Sequence, residues 1–146
     1  MNEFQERLCE LLAEKNISKL KLAKDLNISD IAIYRYFTRD FYPRIDIANL
    51  MANYFDCSLD YLFGLSDERN NKNANAHSFW HNFNALLSEN GYSIRKAFSE
   101  LNMSTYDYYR WKTQFPKTRA LIEIAKFFSV SVDYLVGDIK KYRDIK

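Results

Sequence analysis

The chain has 146 residues, 47% of them apolar and 16% aromatic, with a formal net charge of +2. This composition is too rich in apolar side chains for intrinsic disorder, and no apolar run approaches the ~18 residues of a membrane span. A balance of +2 is too small by itself to argue for nucleic acid, so the placement of the charges has to carry that question.

The chain opens Asn2-Glu3-Phe4-Gln5-Glu6, with neither a basic start nor an apolar core. No signal peptide is read, and a cytoplasmic protein is the expectation. A first helix is predicted from about Glu3 to Lys15, where Phe4, Leu8, Leu11 and Leu12 recur at helical spacing between acids, and Asn16 stops it.

The stretch Ser18 to Thr38, SKLKLAKDLNISDIAIYRYFT, reads as two short helices joined by a tight turn. Ser18 is placed to cap the first of them. Leu22 and Leu26 form its apolar stripe, Ala23 is small enough for close helix approach, and Asn27 tolerates the left-handed backbone that ends a helix. Ser29 caps the second, in which Ile33 and Tyr36 point inward while Asp30, Ile31, Tyr34 and Arg35 face out. The loop from Thr38 to Arg44 contains Pro43, which cannot continue a helix. Phe37, Phe41 and Tyr42 either pack under the following helix or form an exposed apolar patch. That helix is expected over about Asp46 to Phe55, with Ile47, Leu50, Met51, Ala52 and Phe55 available to the core. A short fifth helix has Ser58 as its cap, Leu59 and Leu62 inward, and Gly64 as its stop.

Residues 66–78, SDERNNKNANAHS, contain four asparagines and no large apolar residue, and read as a polar linker. The pattern then returns. A helix is predicted from about Phe79 to Glu89, and SIRKAFSELNMSTYDYYRWKT, Ser93 to Thr113, repeats the earlier stretch 75 residues on with eight identities, Asn27/Asn102 and Arg35/Arg110 among them. Beyond the loop before the proline the offset is 73, so that Pro43 matches Pro116 and Asp60-Tyr61-Leu62 matches Asp133-Tyr134-Leu135. The predicted organisation is a first domain over 1–65, a linker over 66–78, a second domain over 79–137 and a basic tail over 138–146. Domains of about 60 residues are small but able to fold alone.

Charge is polarised within the first repeat. Residues 1–66 hold eight basic and ten acidic side chains, a balance of −2, whereas 79–137 hold seven and five, a balance of +2. Glu3, Glu6, Glu10 and Glu14 lie on the first helix, while Lys19, Lys21, Lys24, Arg35, Arg39 and Arg44 fall on the helix pair and the loop after it. One side of that domain is therefore basic.

Enzymatic chemistry finds no support. Three glycines make no phosphate-cradling loop, and no His accompanies a candidate nucleophile. Cys9 and Cys57 read as small apolar residues, and His77 and His81 as helix-start residues, so neither a metal site nor a cofactor is expected.

Five helices with a helix-turn-helix as the second and third, a proline before the fourth, and a closing Ser-x-Asp-Tyr-Leu-x-Gly together resemble the Cro/phage-repressor (XRE-like) family of DNA-binding domains. The resemblance extends over both repeats and implies an all-α protein of two tandem five-helix lambda-repressor-like domains. In that family the third helix enters the major groove and the start of the second sits on a phosphate. Base contacts would then fall to Ser29, Asp30, Ile31, Tyr34 and Arg35, and to Ser104, Thr105, Tyr106, Tyr109 and Arg110. Phosphate contacts would fall to Ser18, Lys19, Lys21 and Arg44, and to Ser93, Lys96 and Lys117. The chain differs from the family pattern in having Lys19 and Ile94 where a Gln is usual, Lys21 and Lys96 where an acid is usual, and Ala97-Phe98 in place of Leu-Ala.

What the resemblance implies is a transcriptional regulator of repressor type, binding double-stranded DNA as a homodimer. The alternative is a protein-binding module of a mobile element, an antirepressor or an inhibitor of a defence nuclease, that keeps the fold and takes a protein partner. A 13-residue linker reaches at most about 43 to 47 Å, against about 34 to 36 Å between half-sites on one DNA face, so one chain spanning both grooves is the competing geometry to a dimer.

Overall fold

The computed structural model describes residues 1–38, 40–70 and 75–140. Arg39 of the basic loop, residues 71–74 of the linker and residues 141–146 of the basic tail lie outside them. Among the described residues every regular element is helical, and the chain divides into two units, Met1–Asn71 and Lys72–Lys146.

In the first unit α1 (Glu3–Lys15) starts from a capping box: the Asn2 side chain accepts from the Gln5 N–H at 2.9 Å, and the Gln5 amide oxygen accepts from the Asn2 N–H at 2.9 Å. The fully buried Gln5 also donates through Nε2 to the Tyr36 carbonyl at 2.6 Å, tying the start of α1 to the helix that carries the outward face described below. Asn16 ends α1 at φ 54°. α2 (Lys19–Leu26) begins where the Ser18 hydroxyl accepts from the Lys21 N–H at 3.0 Å, and it ends at Asn27, φ 56°. After a two-residue turn the Ser29 hydroxyl accepts from the Ala32 N–H at 3.1 Å, and α3 (Asp30–Thr38) follows with Ile33 and Tyr36 buried.

A left-handed Asn at position 27 has a direct consequence for stability. Asn27→Gly is expected to leave the melting temperature unchanged or to raise it, whereas Asn27→Val should cost about 1 to 2 kcal/mol, because a β-branched residue resists positive φ. Thermal melting of the two variants side by side checks this, and equal melting would contradict it.

α4 spans Ile45–Tyr54, one residue earlier at each end than the pattern predicts. Its inner stripe is Ile45, Ala48, Met51 and Ala52, continued by Phe55. Leu50 is 45% exposed and Ile47 only partly buried. The i, i+3, i+7 spacing of the stripe turns position 50 outward whatever its apolarity. α5 (Leu59–Leu62) is capped by Ser58 and followed by Gly64 at φ +75°, where a Cβ would lie 2.8 Å from Glu3 Cβ. Tyr42 packs between Phe4 and Phe63, with ring centroids 6.0 Å from each, so it belongs to the contact of α1 with the end of α5 rather than lying under α4.

The second unit repeats the order: α6 (Phe79–Glu89), α7 (Ile94–Leu101), α8 (Thr105–Arg110), α9 (Thr118–Phe128) and α10 (Val132–Val136). Ser78, Ser93, Ser104 and Ser131 cap α6, α7, α8 and α10, and Asn102 ends α7 at φ 57°. Gly137 closes α10 at φ +62°, where a Cβ would collide with the His77 carbonyl, as Gly64 closes the first unit against Glu3. The core is differently filled. Phe79, Phe83, Phe98 and Trp111 are buried together, Phe98 lying 5.3 Å from Trp111 and 6.0 Å from Phe83 between ring centroids.

Candidate nucleic-acid interface

The outward face of α3 carries Asp30, Ile31, Tyr34 and Arg35, all exposed, and these four line one shallow depression together with Thr38 and Phe41. Their direction follows from the inward commitment of Ile33 and Tyr36, which leaves the intervening positions on the far side of a nine-residue helix. Ser29 is also exposed, but its hydroxyl is occupied as the α3 cap and lies outside the depression. Sequence reasoning did not assign Phe41 and Thr38 to this face. Phe41 stacks on Tyr36 with ring centroids 5.7 Å apart, and so forms a wall of the depression.

Ile31 is 75% exposed, unusually open for a branched apolar side chain. Arg35 makes no ion pair among the described residues, so its five donors face solvent. Beside this face, Lys19 Nζ sits 4.2 Å from the Phe37 ring centroid and 5.7 Å from that of Tyr34, which places the ammonium over aromatic surface next to the start of α2. Arg44 is exposed and reaches Asp46 at 3.2 Å.

Lys21 is held more firmly. Its Nζ lies 3.0 Å from Asp25 Oδ1, and the Tyr54 hydroxyl donates to Asp25 Oδ2 at 2.6 Å. The phenol first, and then the ammonium, hold the Asp25 carboxyl below the ordinary aspartate value of 3.8, while the same contact pushes the Tyr54 phenol up. A depressed folded-state value contributes stability above pH 3.8 that is lost as pH falls through the lower folded value. Asp25→Asn is therefore expected to melt below the unaltered chain at neutral pH, with the gap closing in acid. A gap unchanged between neutral pH and pH 3 would show that the carboxylate charge is not the cause.

In the second unit the corresponding residues sit on α7 and α8. Thr105, Tyr106, Tyr109 and Arg110 are exposed, and the Ser104 hydroxyl accepts from the Tyr106 N–H at 3.2 Å. Arg110 is not free as Arg35 is. Asp107, standing where the first unit has Ala32, lies 3.3 Å from its Nη1. Ser93 caps α7 through the Lys96 N–H, Lys96 Nζ lies 5.3 Å from the Tyr92 ring centroid, and Lys117 is exposed at the start of α9. Thr105, Tyr106 and a paired Arg110 thus replace the open acid, isoleucine and arginine of α3. The Asp107–Arg110 pairing was readable from their i, i+3 spacing.

Among the described residues no cluster of His, Cys, Asp and Glu suits a metal ion, and no helix is long and apolar enough to cross a membrane. His77 and His81 stack on one another at 4.1 Å between centroids at the start of α6. Comparison with curated proteins and with solved structures gave no match in either case. The helix-turn-helix family model matches residues 10–62, from the middle of α1 to the end of α5, so the match lies within the first unit and spans α2 and α3.

Proposed function

We propose that the chain is a sequence-specific DNA-binding transcriptional regulator that represses by occlusion, with α3 in the major groove and neighbouring cations on phosphates. The observation that carries this reading is the outward face of α3, with an Arg35 that has no ion pair among the described residues and an exposed Ile31, within a segment matching a helix-turn-helix family. Ser29, Asp30, Ile31, Tyr34 and Arg35 are the base-facing set, and Ser18, Lys19, Lys21 and Arg44 the phosphate set. The parallel helix order, serine caps and left-handed asparagines of the second unit support reading residues 79–137 as a second domain of the same kind, joined through the 66–78 linker and followed by the basic 138–146 tail. Its own base set is Ser104, Thr105, Tyr106, Tyr109 and Arg110, and its phosphate set Ser93, Lys96 and Lys117.

A second reading, in which the second unit makes a protein contact, is favoured by one feature of α8. Tyr106 and Tyr109 are 71% and 67% exposed, and the neighbouring Arg110 charge is already engaged by Asp107. That contact would be the homodimer, or a foreign partner. The test is gel retardation of the full chain on a pool of random duplexes across a salt series. Binding is expected to weaken steeply with salt, log K falling by about 0.9 per neutralised phosphate for each unit of log salt. Absence of a retarded band at low salt would reject DNA binding and leave the protein contact.

A further inference from the structure

The α3 face presents an acid, a branched apolar side chain and an exposed guanidinium along one helix, and these three chemistries do not suit a phosphate backbone equally. Arg35 suits any anion. Asp30, at the first position of α3, would be repelled by phosphate and is tolerated against DNA only where it accepts a hydrogen bond from a base amino group, which in the major groove points to cytosine N4. Ile31 has no polar atom to offer. Yet it is 75% exposed, beside Asp30 and at the same depression as Arg35, so the only base feature it complements is the thymine 5-methyl group. Five residues of helix rise about 7.5 Å from Asp30 to Arg35, roughly two base-pair steps, so all three side chains address one short stretch of groove.

Resting on the DNA-binding reading, we infer that Asp30 and Ile31 are specificity-determining residues: the half-site read by α3 holds a thymine whose methyl group packs on Ile31, next to a cytosine whose amino group donates to Asp30, with Arg35 on a guanine within the same few base pairs. The second unit does not share this code. There, Thr105 and Tyr106 stand at the positions of Asp30 and Ile31, and Arg110 is paired with Asp107. The operator is therefore asymmetric wherever both units of one chain engage it.

The experiment begins with selection of duplexes from a random pool by the full chain, followed by replacement of each thymine in the selected site, one at a time, with deoxyuridine, which removes only the methyl group. One position is expected to lose affinity about four-fold, the worth of one buried methyl. Ile31→Ala should bind the thymine and deoxyuridine sites equally, and Asp30→Asn, repeated through selection, should shift one position from cytosine to adenine. Both residues are exposed, and circular dichroism verifies that the variants remain folded. Retained binding with no deoxyuridine effect, or an effect that persists in Ile31→Ala, would overturn the inference while leaving DNA binding intact. Failure to recover any duplex would overturn the DNA-binding reading itself and this inference with it.

Discussion

Arg35→Ala is expected to weaken operator binding at fixed salt by about ten-fold or more, while Arg110→Ala weakens it by no more than about three-fold. A bidentate arginine–guanine contact contributes roughly 1 to 3 kcal/mol of discrimination, but only if the guanidinium reaches the base without first giving up another partner. Arg35 meets that condition, since it is exposed, makes no ion pair among the described residues and lines the depression on α3. Arg110 does not, because Asp107 already pairs with it at 3.3 Å and would bring a negative charge toward the phosphates. Ile94 adds to the contrast: it stands where the first unit has Lys19, and an alkyl group offers a phosphate nothing. Arg35→Lys separates charge from geometry, since it keeps the salt dependence while losing the forked contact, and should fall between the unaltered chain and Arg35→Ala. Fluorescence anisotropy on one labelled operator measures all three. Sedimentation supplies the companion observation: if the second unit pairs with another copy, the protein sediments as a dimer. A larger loss from Arg110→Ala, with a monomer in solution, would reject this division of labour and favour one chain straddling an asymmetric site.

The helix-turn-helix was legible because its determinants are local. Ser18, Asn27 and Ser29 act on backbone groups within four residues of themselves, so the start of α2, its left-handed end and the cap of α3 could be read without knowledge of the rest of the chain. The outward set of α3 followed from helical period alone. What escaped was long-range. Nothing near Gln5 announces that its amide reaches the Tyr36 carbonyl 31 residues away, nor does anything near Asp25 announce the Tyr54 phenol 29 residues on. Leu50 misled because an apolar residue within a helix invites an inward assignment, and only the angular position of its neighbours turns it out. Ser129, at φ 54°, caps α9 in the left-handed region, and Asp56, at φ 51°, follows the Phe55 cap of α4; neither is glycine or asparagine, so the usual stop signal was missing at both.

The two units also solve one packing problem in different ways. Where α2 has Leu22 and Ala23, α7 has Ala97 and Phe98, and all four are fully buried. Aromatic bulk moves with them. The first unit clusters Phe4, Tyr42 and Phe63 between the start of α1 and the end of α5, while the second gathers Phe79, Phe83, Phe98, Tyr108 and Trp111 around the α7–α8 pair and has Val136 where the first has Phe63. The large ring at position 98 is compatible with close helix approach because position 97 gives up volume on the same helix.

Phe98→Ala is expected to destabilise the second unit by about 3 to 5 kcal/mol, as truncation of a fully buried phenylalanine does where the surroundings cannot collapse into the space. They cannot here, because the ring is bounded by Phe83, Tyr108 and Trp111, each already packed against another aromatic partner. The same reasoning predicts that the double change Ala97→Leu with Phe98→Ala, which copies Leu22-Ala23, recovers only part of the loss. At the positions of Phe83, Tyr108 and Trp111 the first unit has the buried Leu8, Ile33 and Tyr36, whereas the second unit would still have its three large rings shaped around an absent one. Measurement is direct because both tryptophans of the chain, Trp80 and Trp111, lie in the second unit. Urea unfolding followed by tryptophan fluorescence therefore reports that unit, and a domain of its size has little stability to spare, so Phe98→Ala should already be partly unfolded without urea. A loss below about 1 kcal/mol, or full recovery by the double change, would show that the ring is not the centre of this core.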